Sequence, residues 1–178
     1  MRYAILFGVL ALLLPRHSAA ADVSVELLPG RSAIAFRAYG IGLLPLDGQF
    51  THFHGRFSYD PEAPTHCAVA LQVDVASLAV APATVGETVL GPDFLDAAEF
   101  PRLAYDGVCG IGGLTGRLTM HGVTRPFALT LDWAPDSLVA AGQLRRTDWG
   151  MTAMPILVGS TVRIEVSVRL AGAPHAGP

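Results

Sequence analysis

The stretch that most constrains the fold of this chain is Gly116–Trp133, which reads GRLTMHGVTRPFALTLDW. On both sides of a break at His121–Pro126, apolar and polar residues alternate with a period of two. This period is typical of strands that bury one face. Gly122 supplies backbone freedom at the connection, and Pro126, which has no amide donor, fits a strand start or an edge. The stretch therefore predicts a β-hairpin with one apolar face on each strand.

The same alternation recurs along most of the chain and predicts about eight strands separated by short turns. Pro92 and the run Phe94–Glu99 predict one short helical segment that ends at Phe100–Pro101. This pattern is typical of an all-β domain, either an antiparallel barrel or a sandwich. An eight-stranded barrel is wide enough to be filled by side chains or to hold one small ligand. Besides the hairpin, the expected strands cover 23–27, 31–37, 49–59, 67–76, 103–109, 138–147 and 161–170.

Residues 1–21 have the pattern of a secretory signal peptide. Arg2 precedes the apolar run Ala4–Leu14, and small residues follow at 18–21. Because a bilayer span takes about 20 apolar residues, this run is too short to cross one. We therefore expect residues 1–21 to be removed, with an uncleaved anchor as the alternative, and residues 22–171 to form a single domain. A disordered tail is expected over 172–178.

The charge balance excludes several classes of partner. Without residues 1–21 the chain keeps 10 of its 12 basic side chains, all arginine, against 15 acidic ones, so its net charge is −5. Nucleic acids and anionic membrane surfaces are bound through basic patches, which this composition does not favour. We expect a periplasmic or secreted protein that does not span a membrane. The oligomeric state stays open, and a homodimer is among the arrangements that the sequence allows.

The two cysteines, Cys67 and Cys109, are expected to form a disulfide because an export signal places them in an oxidising compartment. The strand pattern is consistent with this pairing. If strands 67–75 and 103–109 pair antiparallel with Val73 opposite Leu103, the two cysteines lie directly opposite each other on one face. Two buried free thiols are the alternative. Their spacing fits no zinc or redox motif.

The histidines give weak signals for chemistry. His52 and His54 share one strand face, a spacing that metal sites use, but two ligands do not make a site. His121 lies in the hairpin turn, where we expect it to bond to backbone. No nucleophile–base pair, glycine-rich phosphate loop or zinc-protease motif occurs. The sequence therefore predicts a protein that is not an enzyme, with no cofactor and no metal.

Three motifs, in this order, resemble the signatures of the YceI-like family. They are Asp96–Pro101 (DAAEFP), Leu118–Pro126 (LTMHGVTRP) and Arg146–Met151 (RTDWGM). Phe50–Pro61 and the closing strand 158–170 fit as well, so the resemblance covers nearly all of the chain after residue 21. It implies an exported, extended, eight-stranded lipocalin-like antiparallel barrel. It also implies a function in binding long apolar molecules, typically polyisoprenoids or fatty amides, in the barrel interior.

The resemblance leaves recognition of a head group open. Relatives often carry charged residues before the D-x-x-x-F-P motif, whereas here Ala81–Gly91 has Glu87 as its only charge. Arg125, Arg145 and Arg146 are candidates to hold an anionic head group at a barrel mouth. A solvated surface position is the simpler expectation for all three.

The apolar strand faces are the candidate ligand-binding residues, and a packed core is the alternative role for them. Burial of about ten ligand methylenes contributes roughly 8 kcal/mol, near micromolar affinity before ordering costs. The expected cavity lining comprises Phe36, Phe53, Phe57, Leu71, Val73, Leu103, Tyr105, Leu118, Phe127, Leu129, Leu131, Trp133, Ile164 and Val166.

We therefore expect an exported carrier whose partner is an apolar lipid, a polyisoprenoid or a fatty-chain molecule held inside the barrel. The alternative is a non-catalytic interaction protein with a packed interior, acting through its surface in an envelope stress or redox system. The length and head group of the ligand and its pathway stay open.

Overall fold

The computed structural model describes residues 22–40 and 44–170, so the expected signal peptide (1–21) and tail (172–178) lie outside the described residues. The described chain forms eleven strands and one α-helix. The strands are β1 (Val23–Leu27), β2 (Ser32–Tyr39), β3 (Pro45–Phe50), β4 (Phe53–Tyr59), β5 (Cys67–Asp74), β6 (Leu78–Val80), β7 (Arg102–Gly110), β8 (Gly113–Met120), β9 (Val123–Ala134), β10 (Ser137–Arg145) and β11 (Thr161–Arg169). The helix α1 (Ala83–Leu90) lies between β6 and β7, and 3-10 turns cover Val75–Ser77 and Arg146–Trp149.

All the strands belong to one antiparallel sheet in the order β1-β4-β5-β7-β8-β9-β10-β11-β2-β3-β6. β9 pairs with β8 along its first part and with β10 along its last part. Only Thr51 and His52 separate β3 from β4, although these strands lie near opposite ends of the order. The sheet must therefore curl strongly, so that β3 and β4 come together at one corner. Pairing continues across this corner, because the amides of Thr51 and Asp74 donate to the carbonyls of Ser77 and His52.

The expectation of an all-β fold with one short helical segment is confirmed, but the count of eight strands is wrong. The expected strand 49–59 is divided by Thr51 and His52 at the corner of the sheet, and the expected strand 67–76 ends at Asp74. The 3-10 turn at Val75–Ser77 separates it from the short strand β6, which the sequence analysis did not predict. The Asp74 carboxylate accepts the amide of Ala76, and the Ser77 hydroxyl donates to the carbonyl of Asp74. These local bonds compete with the ladder, as short polar side chains do at strand ends.

The position of the helix also differs from the expectation. The segment Pro92–Glu99, which was expected to be helical, forms turns. The helix α1 lies before this segment in the chain and ends at Leu90. The amides of Phe94 and Asp96 both donate to the carbonyl of Gly91, and Asp96 has a φ of 44°. A residue in this left-handed region cannot continue a right-handed helix.

The pairing of β5 with β7 has the predicted register. Val73 lies opposite Leu103, and the next pairs along the ladder follow from this one. Cys67 and Cys109 form a disulfide with a Cα–Cα distance of 4.9 Å, inside the usual range for this bond. The predicted disulfide is therefore confirmed in the structure, and it joins β5 to β7.

Loss of the disulfide should lower stability without changing the fold. The bond closes a sequence separation of 42 residues, so the double variant Cys67→Ser/Cys109→Ser should lose about 4 kcal/mol of unfolding free energy in the chain-entropy treatment. Urea unfolding with and without a reductant measures this loss. Reductant should destabilise the unmodified protein and leave the double variant unaffected. Equal midpoints for the oxidised protein and the double variant would contradict the expectation.

Candidate functional site

An apolar cavity of about 170 Å³ lies inside the curled sheet. Eight strands contribute to its wall, which consists almost entirely of inward-facing apolar side chains. Most of the residues expected to line a cavity are on this wall. They are Phe36, Leu71, Val73, Leu103, Tyr105, Leu118, Phe127, Leu129, Ile164 and Val166. Their part in binding a ligand remains a prediction.

Four of the expected lining residues lie away from the cavity. Phe53 is buried in the hydrophobic core, and Leu131 is partly buried and packs against this core. Phe57 and Trp133 form an aromatic cluster with Tyr59, in which ring centroids are 5.4 to 6.0 Å apart. The alternating pattern identifies the inner face of a strand, but not how far along the strand the cavity extends.

Part of the wall comes from connections rather than strands, and the sequence analysis missed it. Phe94 and Leu95 are buried in the turns after α1, and Met151 and Val158 belong to the connection between β10 and β11. Apolar residues in a region with many turn formers were the signal for these positions. Such residues need cover from water, and the cavity wall provides it.

Glycines within the strands make room for the ring side chains of the wall. The ring of Phe36 lies over Gly48, where a Cβ would overlap it. A Cβ at Gly142 would lie 2.6 Å from Leu129 and 2.8 Å from the ring of Phe127. An isolated glycine inside an alternating strand marks this kind of close approach. That signal was present in the sequence and could have located these positions.

Tyr105 is one of two buried titratable groups on the wall, and Arg146 is the other. Its hydroxyl donates to the carbonyl of Phe127 at 3.0 Å, and the two rings meet edge to face with centroids 6.2 Å apart. Burial raises the pKa of Tyr105 to about 12. The phenol therefore stays neutral at physiological pH, and its polar atom is occupied by a backbone carbonyl.

Arg146 is 3% exposed and holds the connection between β10 and β11 from inside. Its Nε, Nη1 and Nη2 donate to the carbonyls of Gly159, Met151 and Val158 at 3.0, 2.5 and 2.9 Å. Its guanidinium carbon lies 5.5 Å from the ring centroid of Phe94, a cation–π distance. Burial lowers the pKa of Arg146 from its ordinary value. The expected solvated position is wrong for this residue, because three carbonyls replace the water.

The remaining contacts join the motifs LTMHGVTRP and RTDWGM. The indole nitrogen of Trp149 donates to the carbonyl of Leu118 at 3.2 Å, and His121 Nδ1 lies 3.1 Å from the carbonyl of Trp149. Because that carbonyl only accepts, the second contact needs a proton on Nδ1. The Arg125 Nε donates to the carbonyl of Asp148. The expected backbone bond of His121 is confirmed, and the turn between β8 and β9 is fastened to the 3-10 turn after β10.

The histidine pair that the sequence analysis considered as a possible metal site lies on the protein surface. His52 and His54 are exposed on β4 and the corner before it. Within residues 22–40 and 44–170, no three histidine, cysteine, aspartate or glutamate side chains come together in a way that would hold a metal ion. No helix in this part of the chain has the length and apolar character to span a membrane.

Comparison with known proteins identifies the family. The model of the YceI-like domain matches residues 26–170. The chain belongs to the YceI-like domain family. Among its relatives, a UPF0312 protein of Shewanella sp. (strain W3-18-1) is 32% identical over 130 residues, covering 70% of this chain and 68% of the relative. A UPF0312 protein of Vibrio campbellii is 25% identical over 175 residues, covering 92% and 93%.

Solved structures show the same fold at lower sequence identity. BcnA from Burkholderia cenocepacia superposes with a TM-score of 0.63 at 20% identity, covering 79% of this YceI-like chain and 96% of BcnA. A polyisoprenoid binding domain from Saccharophagus degradans, implicated in plant cell wall breakdown, superposes with a TM-score of 0.61 at 10% identity, covering 86% and 100%. These similarities establish the fold of the chain.

Replacement of Arg146 should destabilise the protein strongly. Arg146→Met keeps an apolar side chain against Phe94 but leaves three carbonyls without their donor, so we expect a loss of about 3 kcal/mol or more in urea unfolding. Arg146→Lys should also lose stability, because an ammonium group cannot match the planar, forked donor geometry of the guanidinium. The exposed neighbour is the control, since Arg145→Met should change stability by no more than about 0.5 kcal/mol. Equal losses at 145 and 146 would contradict this role.

Stability should depend on Tyr105 at alkaline pH. The phenol has an ordinary pKa of 10.0 and a folded pKa of about 12. Its contribution is therefore complete below pH 10 and is lost as the pH rises from about 10 towards 12, because the unfolded chain releases the proton first. Urea midpoints at about pH 9 and pH 11 measure the fall. Tyr105→Phe should show a smaller fall than the unmodified protein, and an identical fall would refute the assignment.

Proposed function

We propose that this protein is an exported carrier that binds a long apolar lipid, a polyisoprenoid or a fatty-chain molecule, through the cavity inside its sheet. The observation that carries the proposal is the cavity wall itself. Its side chains come from eight strands and two connections and are almost all apolar. Apolar burial would provide the binding energy, with roughly 0.8 kcal/mol for each methylene that leaves water.

The size of the cavity limits how much of a ligand it encloses. Its volume of about 170 Å³ is close to that of a 150 Å³ cavity, lined by leucine, isoleucine and phenylalanine, that binds benzene. One isoprene unit has five carbons, so the cavity encloses about one unit in the geometry described. A longer chain would place its remaining length outside this volume or displace wall side chains. The apolar cavity wall suits the hydrocarbon end of the lipid rather than its head group.

The family and its structural relatives support the same class of ligand. The Saccharophagus degradans domain of similar fold is described as polyisoprenoid binding. We extend that property to this chain as a proposal, together with a periplasmic or secreted location. A binding protein rather than an enzyme fits the site, since the polar atoms of its wall residues Tyr105 and Arg146 are bonded to backbone carbonyls.

A cavity-filling variant tests the proposal. Ile164 is half-buried and lies on the cavity wall, so Ile164→Trp should place an indole in the ligand volume. Titration with a fluorescent polyprenol analogue should show at least a tenfold weaker affinity for this variant, since each 1.4 kcal/mol of lost contact is tenfold. Val108→Trp is the matched control, because Val108 is exposed outside the cavity.

Circular dichroism and thermal melting keep the outcomes separate. If Ile164→Trp melts close to the unmodified protein and loses binding while Val108→Trp retains it, the cavity is the binding site. If the unmodified protein takes up neither polyprenol nor fatty-chain probes, the carrier proposal fails. The packed-interior interaction protein is then the better description. Equal binding by both tryptophan variants would place the ligand outside the cavity.

A further inference from the structure

The connection between β10 and β11 is apolar on both of its faces. We call residues 151–160 the tip segment; it reads MTAMPILVGS and contains no charged residue. Its inner side chains, Met151 and Val158, lie on the cavity wall. Its outer side chains, Met154, Ile156 and Leu157, are exposed. A connection that runs over a protein surface is expected to be polar on its outer face, so this one departs from the usual pattern.

The tip segment has a defined shape although it belongs to no strand pair. Arg146 holds it at Met151, Val158 and Gly159 through three carbonyls. The amide of Gly159 also donates to the carbonyl of Tyr39 at the end of β2. Met154 accepts the amides of Leu157 and Val158 to form a turn, and it has a φ of 48°. An apolar side chain is thus kept in a left-handed conformation, which glycine or asparagine more often adopts.

The exposed side chains belong to the same connection as the cavity-wall residues Met151 and Val158. Ile156 is 93% exposed, so it stands clear of the protein surface. Leu44, the residue before β3, is also exposed and is joined to the same region, because its carbonyl accepts the amide of Gly40 next to Tyr39. The wall residues at this end, Leu46 and Val158 among them, are only half-buried. The apolar inner wall therefore continues into the apolar outer surface of the tip.

We propose that the tip segment inserts into the surface of a lipid bilayer, so that the cavity opens into the apolar layer rather than into water. The purpose of this docking rests on the proposed lipid-carrier function. A ligand whose length exceeds the cavity would then enter and leave without exposing its chain to water. Insertion of the tip segment carries no charge-burial penalty, because residues 151–160 contain no charged side chain.

A bilayer fits this surface better than a second copy of the chain. A stable protein interface takes about 20 to 30 residues on each side, whereas the exposed apolar side chains here are few and protruding. A side chain as exposed as Ile156 must be enveloped by its partner. Fluid acyl chains do this without a complementary shape, in the way that they receive the apolar face of an interfacial helix.

The test uses a site-specific fluorophore. The two native cysteines are paired in a disulfide, so the variant Ile156→Cys carries one reactive thiol for an environment-sensitive label. Asp136→Cys is the matched control, since Asp136 is exposed at the end of β10 that lies away from the tip segment, and the 9 residues of β10 span about 30 Å. Both labelled proteins are mixed with phosphatidylcholine vesicles that carry a quencher on their acyl chains.

Quenching at position 156 and not at position 136 is the expected result. The serine variant Ile156→Ser/Leu157→Ser should bind at least tenfold fewer vesicles in flotation, whereas Ile111→Ser, which alters an equally exposed side chain in the turn before β8, should bind as the unmodified protein does. An unquenched label at 156 overturns the proposal. So does a label that responds to protein concentration without vesicles, because the occupant is then a second copy. No ligand enters these measurements, so failure of lipid uptake and failure of docking are told apart.

Discussion

The cavity wall between β10 and β11 depends on one interaction, in which the Arg146 guanidinium donates three hydrogen bonds to backbone carbonyls. The connection from β10 to β11 has no ladder partner, and its carbonyls would otherwise be turned inward without donors. A buried charge is tolerated only when its hydrogen-bonding capacity is largely met. Here the cation and the carbonyls satisfy one another, and among the described residues no carboxylate lies within 4.0 Å of the guanidinium. The result is a connection fixed tightly enough to serve as cavity wall.

The sheet and the hairpin turn after β8 determine where the cavity wall lies. β9 is shared between two groups of strands, and the corner at Thr51–His52 joins the two ends of the sheet order. The hairpin turn after β8 is fastened to Trp149, immediately before the connection that Arg146 holds. The motifs Leu118–Pro126 and Arg146–Met151 therefore act together, since the first supplies the turn and the second supplies both the residue that contacts it and the buried arginine.

The sequence was informative wherever one local rule decides the outcome. A period of two determines which side chains face inward, so Leu71, Tyr105 and Leu129 could be assigned to the interior. The same pattern could not show that Phe57 and Trp133 form an aromatic cluster beyond the cavity, because depth along the barrel depends on how all the strands are staggered. The register supposed for β5 against β7, with which the pairing of the cysteines was consistent, is the one in the structure.

Arg146 shows the limit of pattern-based reasoning. A charged residue at a strand end is usually solvated, and the carbonyls that bury this one come from residues five to thirteen positions later in the chain. Nothing in the alternation of apolar residues records such a contact. The extra strands were missed for a different reason. The bend at Val75–Ser77 rests on local bonds of Asp74 and Ser77 to neighbouring backbone, and the alternation of apolar residues continues through Val75 without a break.

Native mass spectrometry of the protein exported by a bacterial host, followed by organic extraction, tests the central claim most directly. A cavity with an apolar wall should retain a cellular lipid through purification, so we expect a reproducible adduct whose mass matches an isoprenoid or a fatty-chain molecule. The extract identifies its class. A single protein mass without an adduct, together with no mass increase after incubation with polyprenols, would contradict the claim that the interior is a lipid-binding site.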